Sequence, residues 1–392
     1  MKIAFIGQKG IPAHQGGIEK HVEELSLRLA KAGFDITVYS RPAYTKNHQT
    51  KYQGVKIVNL PSIKTKHLDA ITHTFISSLH SLFQDYDVIH YHGVGPALLS
   101  FIPRVFKPRA KVIVTFHCID RQHQKWGAFA RLMLGLGEWA ACRFPHETIV
   151  VSQTLKKYCR YRFDKETSYI PNGVDIKNIK IQEYKNIKNQ TLKKYNLTKN
   201  NYFLVVSRLI QHKGIHTLIK AYQKISARGG SACGGKKLVI VGDGANTNNY
   251  VSRLKELAAG NPDIIFTGQK SGLDLETLFK NAYLFIQPSE AEGLSIALLE
   301  AMSFGAPVLI SNIEENQEAT DGLALEFKNK NVNDLARQLN FAVKHPNQLK
   351  KQAALAKRHT GKNHNWDDIV KQTVEIYRQE LIGKKELKYS EV

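Results

Sequence analysis

Glu292 and Glu300 stand on either side of Gly293, Leu294 and Ser295, directly after the apolar run Tyr283–Pro288. Gly293 permits a tight loop, and Ser295 can cap a helix over Ser295–Phe304. Backbone N–H groups at Gly293, Leu294 and Ser295 would then point at an anion such as a diphosphate, aided by the helix dipole. Glu300, further along that helix, can accept a ribose hydroxyl, and Glu292, in the loop, can accept sugar hydroxyls. The same residues also make an ordinary capped helix with a solvated glutamate. Arg208 and Lys213 follow another apolar run, Tyr202–Ser207, and can converge on one diphosphate, arginine as a fork and lysine as a point charge. Two cations at a helix start oppose its dipole, which argues against a purely structural pair.

The first half offers weaker signals. Gly7-Gln8-Lys9-Gly10 through Gly16-Gly17 forms a glycine-rich turn after the run Lys2–Gly7, but G-x-G-x-x-G is absent. His117 closes the run Lys111–His117; a histidine there is either a site residue or a satisfied core group. His90-Tyr91-His92 ends another run and could bind metal, but no third ligand is evident, so the pair reads as structural or acceptor-facing.

These residues sit at the ends of short β-branched runs separated by helical stretches. Lys2–Gly7, Asp35–Ser40, Val55–Leu60, Val88–His92, Lys111–His117 and Thr148–Ser152 form a first series. Tyr202–Ser207, Lys237–Gly242, Asp263–Thr267, Tyr283–Pro288 and Pro307–Ile310 form a second. Apolar strands alternating with helices predict parallel sheets covered on both faces, so the fold class is α/β, with two doubly wound, Rossmann-like domains. The expected limits are 1–175, a Lys-rich linker over 176–200, 201–365, and a terminal helix and tail over 366–392, packed back on the first domain. Trp366, Ile369, Val370, Val374 and Tyr377 share one side of that helix. In such sheets ligands sit beyond the carboxyl ends of the strands, where all these residues lie.

A chain of 392 residues is long enough for two cores. No apolar run reaches the roughly 18 residues that span a bilayer, and the four scattered cysteines support neither a zinc site nor a disulfide framework. That fits a cytoplasmic protein. The net charge of +22 implies attraction to something anionic, or only a solvated Lys-rich surface. Arg104, Lys107, Arg109 and Lys111, with an amphipathic helix over Lys64–Phe83, suggest peripheral contact with an anionic bilayer on the inner face of the plasma membrane. No helix-turn-helix, RNP-like or zinc-knuckle signature supports nucleic-acid binding, although a basic nucleic-acid-binding protein is the alternative from another class.

The order strand, Pro288-Ser289, Glu292-Gly293, helix, Glu300, Gly305-x-Pro307 resembles the E-x7-E element of the family-4 retaining glycosyltransferases, which have the GT-B fold of two domains facing across a cleft. Arg208-Leu209 with Lys213-Gly214 is similar to that family's Arg-Leu-x-x-x-Lys-Gly element. Gly16-Gly17-Ile18-Glu19 resembles its first glycine loop, His117 its active-site histidine, Phe266–Lys270 its base-binding turn and Tyr169–Asp175 its interdomain signature. Gly7–Glu24, Asp120 and Trp126-Gly127 look closer to a rhamnosyltransferase-like subgroup. The resemblance implies Arg208, Lys213, Glu292 and His117 as catalytic residues. It implies Glu300, Gly293, Leu294, Ser295, Gly16, Gly17 and Gln269 as donor ligands. It further implies a nucleotide diphosphate sugar as co-substrate, no cofactor or metal, and front-face transfer of a hexose-type sugar to a glycan or polyprenyl-linked acceptor in cell-surface polysaccharide synthesis. A GT-B sugar-nucleotide epimerase shares the architecture. One departure stands out: members often read Glu-Gly-Phe-Gly where this chain has Glu292-Gly293-Leu294-Ser295.

Overall fold

The structure is a computed structural model that describes residues 1–14, 16–42, 44, 49–65, 68–122, 126–175, 190–226, 234–245 and 247–389. The chain divides into two compact units, Met1–Gly173 with Trp366–Val392, and Val174–Asn365. The linker expected over 176–200 is described only from residue 190. There it is not a solvated linker: Thr191, Leu192 and Leu197 are buried in the second unit, and Thr191 Oγ1 donates to Asp274 Oδ1 at 2.5 Å. Leucines at this spacing give an otherwise Lys-rich stretch an apolar side. Residues 176–189 and Cys233 lie outside the described residues.

The first unit is built on an eight-stranded sheet of β1 (Lys2–Ile6), β2 (Asp35–Ser40), β3 (Lys51–Tyr52), β4 (Val55–Asn59), β5 (Val88–His92), β6 (Lys111–Phe116), β7 (Glu147–Val150) and β8 (Ser168–Tyr169). Their order is β3-β4-β2-β1-β5-β6-β7-β8. All pairs are parallel apart from β3 with β4. Ile3, Phe5, Val38, Val88 and Ile113 are fully buried, as central parallel strands require. Val22, Leu25 and Leu29 of the helix Gly17–Lys31 join Trp366, Ile369, Ile376 and Tyr377 of the last helix, Trp366–Tyr389, in one core. Trp366 is the anchor of that return. Its ring lies 5.6 Å from His21 and 5.2 Å from the Arg28 guanidinium, and a Cβ on Gly173 would come within 2.5 Å of it.

The second unit has a six-stranded sheet of β9 (Tyr202–Val206), β10 (Lys237–Val241), β11 (Ile264–Gly268), β12 (Leu284–Gln287), β13 (Val308–Ser311) and β14 (Leu325–Phe327), all parallel. The order is β11-β10-β9-β12-β13-β14. The chain therefore lays strands outward on one side of β9, then returns to start again at β12 on the other. The helix Ile215–Ser226 turns Leu218, Ile219 and Tyr222 onto Phe203, Leu238 and Ile240. Where the order reverses, the loops after the two central strands leave in opposite directions and open a crevice at their carboxyl ends. In the first unit the same reversal falls between β1 and β5.

Two corrections concern the basic cluster in the first unit. Lys111 is buried and its ammonium donates to the Ile376 carbonyl at 2.5 Å, so it holds the last helix rather than facing solvent. Lys107 donates to the carbonyls of Leu82 and Gln84. Arg104 and Arg109 remain exposed. The Lys64–Phe83 stretch is helical over Leu68–Leu82, with residues 66 and 67 outside the described set.

Trp366→Ala should cost about 3–5 kcal/mol, the usual range for emptying a buried aromatic site. Urea denaturation followed by circular dichroism checks this. A loss under about 1 kcal/mol would mean that the tryptophan is not what secures the last helix.

Candidate active site

β9 and β12 are adjacent, so their following loops meet. Lys213 sits in a short 3-10 turn, Gln211–Lys213, and Gly214 follows at φ 68°. That glycine is required: a Cβ there would lie 1.9 Å from the Pro288 carbonyl oxygen. The Glu290 N–H donates to the His212 carbonyl at 2.7 Å, which ties the two loops by backbone. Held this way, Lys213 Nζ reaches Glu292 Oε1 at 2.5 Å, with the side chains 14% and 7% exposed. Gln287, the last residue of β12, donates to the same carboxylate at 2.6 Å and to Ser289 Oγ at 2.9 Å. Burial pushes the Glu292 carboxyl up, but the Lys213 charge and the hydrogen bonds from Lys213, Ser289 and Gln287 outweigh it, and the group ends below the ordinary carboxylate range. Glu292 is therefore ionised at neutral pH and held in one place.

Arg208 stands two residues past the end of β9, is half-buried, and has no ion-pair partner among the described residues. Lys213 is already balanced by Glu292, so the uncompensated positive charge at this crevice belongs to Arg208. Ser295 caps the helix Ile296–Ser303, its Oγ accepting from Leu298 N at 3.4 Å. Gly293 and Leu294 are buried in the loop just before that cap, and Glu300 lies half-buried within the helix. Gln269 is exposed just after β11, beyond Gly268, whose carbonyl accepts from Gly242 N at 3.0 Å. Arg208, Lys213, Gln269, Glu292 and the Ser295 cap thus occupy the carboxyl edge of one sheet. Such an edge can hold a phosphorylated ligand against a fixed cation and a helix N-terminus while an ordered carboxylate accepts its hydroxyls.

Glu290, not singled out in the sequence, has a different part. It lies 3.7 Å from His216 Nε2 and 3.3 Å from Lys330 Nζ, and His216 in turn meets the Tyr250 hydroxyl at 2.9 Å. Gln287 was also missed. Its signal was a polar residue closing the otherwise apolar run Leu284–Ile286.

In the first unit the helix Gly17–Lys31 begins at Gly16, whose φ is 102°. The Glu19 carboxylate folds back against Gly16 and accepts the Lys9 N–H at 3.2 Å. Gln8 pins the preceding loop by donating to the carbonyls of Phe5 and Tyr39. His117 follows β6, is buried, and meets His92 Nδ1 through its Nε2 at 3.2 Å. His21, from the helix, stacks edge-on to His117 with ring centres 5.0 Å apart. Burial above all pushes His21 down to about 4 and holds His92 and His117 well below the usual imidazole range. His90 is a core group bonded to Tyr377 and Thr115, as a structural reading expects. His92 is buried as well, but it meets His117 from the loop after β6 and His21 from the helix Gly17–Lys31 instead.

Residues 187–359 match the family described as Glycosyl transferases group 1, and residues 15–178 match Glycosyltransferase Family 4. The two matches do not overlap and together take in both sheets. The chain belongs to the group 1, family 4 glycosyltransferases. An uncharacterized glycosyltransferase of Methanocaldococcus jannaschii is 26% identical over 413 residues, covering 98% of this chain and all of that protein. The Escherichia coli O-antigen biosynthesis glycosyltransferase WclY is 24% identical over 274 residues, 68% of this chain and 73% of its own. Among solved structures, Anabaena HepE in complex with UDP and glucose superposes with a TM-score of 0.76 at 18% identity, over 96% of this chain and 99% of that one. That likeness gives this glycosyltransferase the GT-B fold expected from its motifs.

Lys213→Met leaves the Glu292 carboxylate buried without its cation, at a cost of about 3–5 kcal/mol at neutral pH. The sign with pH is definite. In the wild type the depressed carboxyl contributes stability above its unfolded value, and loses it only as the pH falls through the lower folded value. In the variant, burial alone raises the folded carboxyl, so stability falls as the pH rises through it. The difference between the two proteins in urea denaturation should therefore grow between about pH 4 and 7. A constant difference would refute the pairing as the reason that Glu292 is charged.

Proposed function

We propose that this glycosyltransferase moves a hexose-type sugar, with retention at the anomeric carbon, from a nucleotide diphosphate sugar to a glycan or polyprenyl-linked acceptor in cell-surface polysaccharide synthesis. The observation that carries the reading is the buried Lys213–Glu292 pair beside the uncompensated Arg208 at the reversal of a parallel sheet. As the bond from the anomeric carbon to the leaving phosphate opens, negative charge grows on that phosphate. Fixed cations stabilise it without reorganising. Arg208 supplies the net charge, and Lys213 a directed donor held by Glu292. Glu292 itself accepts hydroxyls of the transferred sugar. It acts as a ligand rather than a nucleophile: Lys213 and Gln287 donate to the same oxygen, Oε1, and hold the carboxylate in place to receive those hydroxyls. The departing phosphate then helps to deprotonate the acceptor hydroxyl on the same face, which gives retention. Glu300 takes the ribose, Gln269 and its neighbours the base, and Gly293, Leu294 and Ser295 the diphosphate. His117, Gly16 and Gly17 keep the donor-facing roles that the family resemblance gives them. HepE was crystallised with UDP and glucose, and WclY is named for O-antigen biosynthesis; both support this donor and product class.

The acceptor side of the reading places the first unit on the cytoplasmic face of an anionic bilayer. The helix Leu68–Leu82 supports it because its amphipathicity is inverted. His73, Thr74, Ser77, Ser78 and Ser81 are buried, while Leu68, Phe75, Leu79 and the adjoining Phe83 are exposed. Phe144 bridges Phe101 and Trp139 by ring contacts, and Phe106, Phe129 and Leu132 are exposed on the same two neighbouring helices. Exposed Arg104, Arg109, Arg131 and Arg143 lie among them. An apolar surface with basic residues suits an anionic interface. No helix among the described residues is long and apolar enough to cross a membrane.

In a thermal-shift panel of UDP, GDP, dTDP and ADP with their sugar conjugates, one base should stabilise the protein by about 5–10 °C near saturation. Glu300→Ala should abolish that shift, and its persistence would remove the ribose assignment. Consumption of the donor without acceptor would point to epimerisation instead. The protein should co-sediment with phosphatidylglycerol-containing vesicles at low salt. Phe83→Glu with Phe106→Glu should weaken that by at least about a hundredfold. If wild-type protein stays in the supernatant, the bilayer reading fails.

A further inference from the structure

The imidazoles of His21, His92 and His117 form a cluster of which glycosyl transfer, as set out above, uses His117 alone. Three separate elements deliver them: the helix Gly17–Lys31, the end of β5 and the residue after β6. All three are buried, and one nitrogen from each lies within 4.8 Å of the other two. His92 Nδ1 and His117 Nε2 are 3.2 Å apart. His21 Nδ1 is buried with no hydrogen-bond partner among the described residues. An unsatisfied buried nitrogen is costly to desolvate, so such a group calls for a reason.

We propose that His21, His92 and His117 form a site for a divalent transition cation of the zinc class in the first unit, and that its occupation removes His117 from the donor site.

The geometry fits such an ion. With Zn–N bonds of about 2.0–2.1 Å, tetrahedral ligand nitrogens stand about 3.3 Å apart. The His92–His117 separation is already of that size, and the wider separations need close by no more than about 1.5 Å, within reach of ring rotation. An all-imidazole set selects zinc, copper, nickel or cobalt over magnesium and calcium, which prefer oxygen. A three-histidine set leaves a fourth position for water. The consequence for activity rests on the donor-contacting role proposed for His117: a ring bound to the ion cannot also serve the sugar. The cation is thus an inhibitor, and turnover needs none.

The test uses the full chain, stripped with EDTA and then titrated with Co²⁺ and, separately, Zn²⁺. One equivalent of Co²⁺ should bind with the intense visible bands of a four-coordinate site, and one Zn²⁺ should displace it. His21→Gln and His92→Gln should each weaken binding by about 10- to 100-fold or more. His92→Cys should retain Co²⁺ and add a thiolate charge-transfer band, an outcome that loss of folding cannot imitate. No Co²⁺ bands in the wild type, or equal binding by the glutamine variants, would overturn the site. In the transferase assay, EDTA should leave turnover intact, and one equivalent of Zn²⁺ should lower it at least tenfold, reversibly. If Zn²⁺ binds through these histidines while turnover is unchanged, the inhibition and the role of His117 at the donor are overturned, while the metal site stands. Turnover abolished by EDTA would overturn the inhibitory reading.

Discussion

The ion pair between Lys213 and Glu292 is the contact around which the second unit is arranged. A carboxylate 7% exposed is expensive to ionise unless a cation and hydrogen-bond donors meet it. Here both do, and meeting that need fixes the neighbourhood. Gly214 must lack a Cβ so that its turn can lie against Pro288, Gln287 must end β12 with an amide, and the Glu290 N–H must find the His212 carbonyl. Each condition depends on β9 and β12 being neighbours. The sheet order that opens the crevice is therefore the same order that makes its charged centre affordable.

The two units solve the same topological problem with different chemistry. Both reverse their strand order at a central strand, β9 in one and β1 in the other, and both place their polar side chains beyond the carboxyl ends. The second unit carries full charges there, with Arg208 left without an ion-pair partner among the described residues. The first carries neutral imidazoles, kept so by burial, and a glutamate folded back over its own helix start. A site that must stabilise a departing phosphate needs the former. The latter offers soft, directional lone pairs and little net charge, which is why it suits hydroxyl contact or a transition cation better than a diphosphate.

The surface follows a related logic. The helix Leu68–Leu82 buries serine, threonine and histidine and exposes leucine and phenylalanine, so the hydrophobic effect cannot be what docks it. Three of its inward hydroxyls, on Thr74, Ser78 and Ser81, donate to carbonyls of the preceding turn and Ser78 also meets Tyr91, while Ser77 Oγ is buried without a hydrogen-bond partner among the described residues. An arrangement of this kind leaves apolar surface available to something other than the protein's own core.

The sequence by itself determined what depends on near neighbours. The strands with continuous apolar runs, the Ser295 cap, the glycine turns and the apolar side of the last helix all follow from residues a few positions apart, and the family motifs are strings of the same kind. Short edge strands escaped it: β14 carries Glu326 at its centre, and β3 and β8 are two residues long, too brief for a period to register. So did the burial of Lys111 and of residues 191–197, where the partner lies far along the chain. Lys213 and Glu292 are 79 residues apart, and His92 and His117 are 25 apart at the ends of different strands. Only the tertiary structure decided that the first two form one ion pair, and that His21 joins the second two. Strand order, unlike strand identity, is set by the packing of whole elements, and no local pattern encodes it.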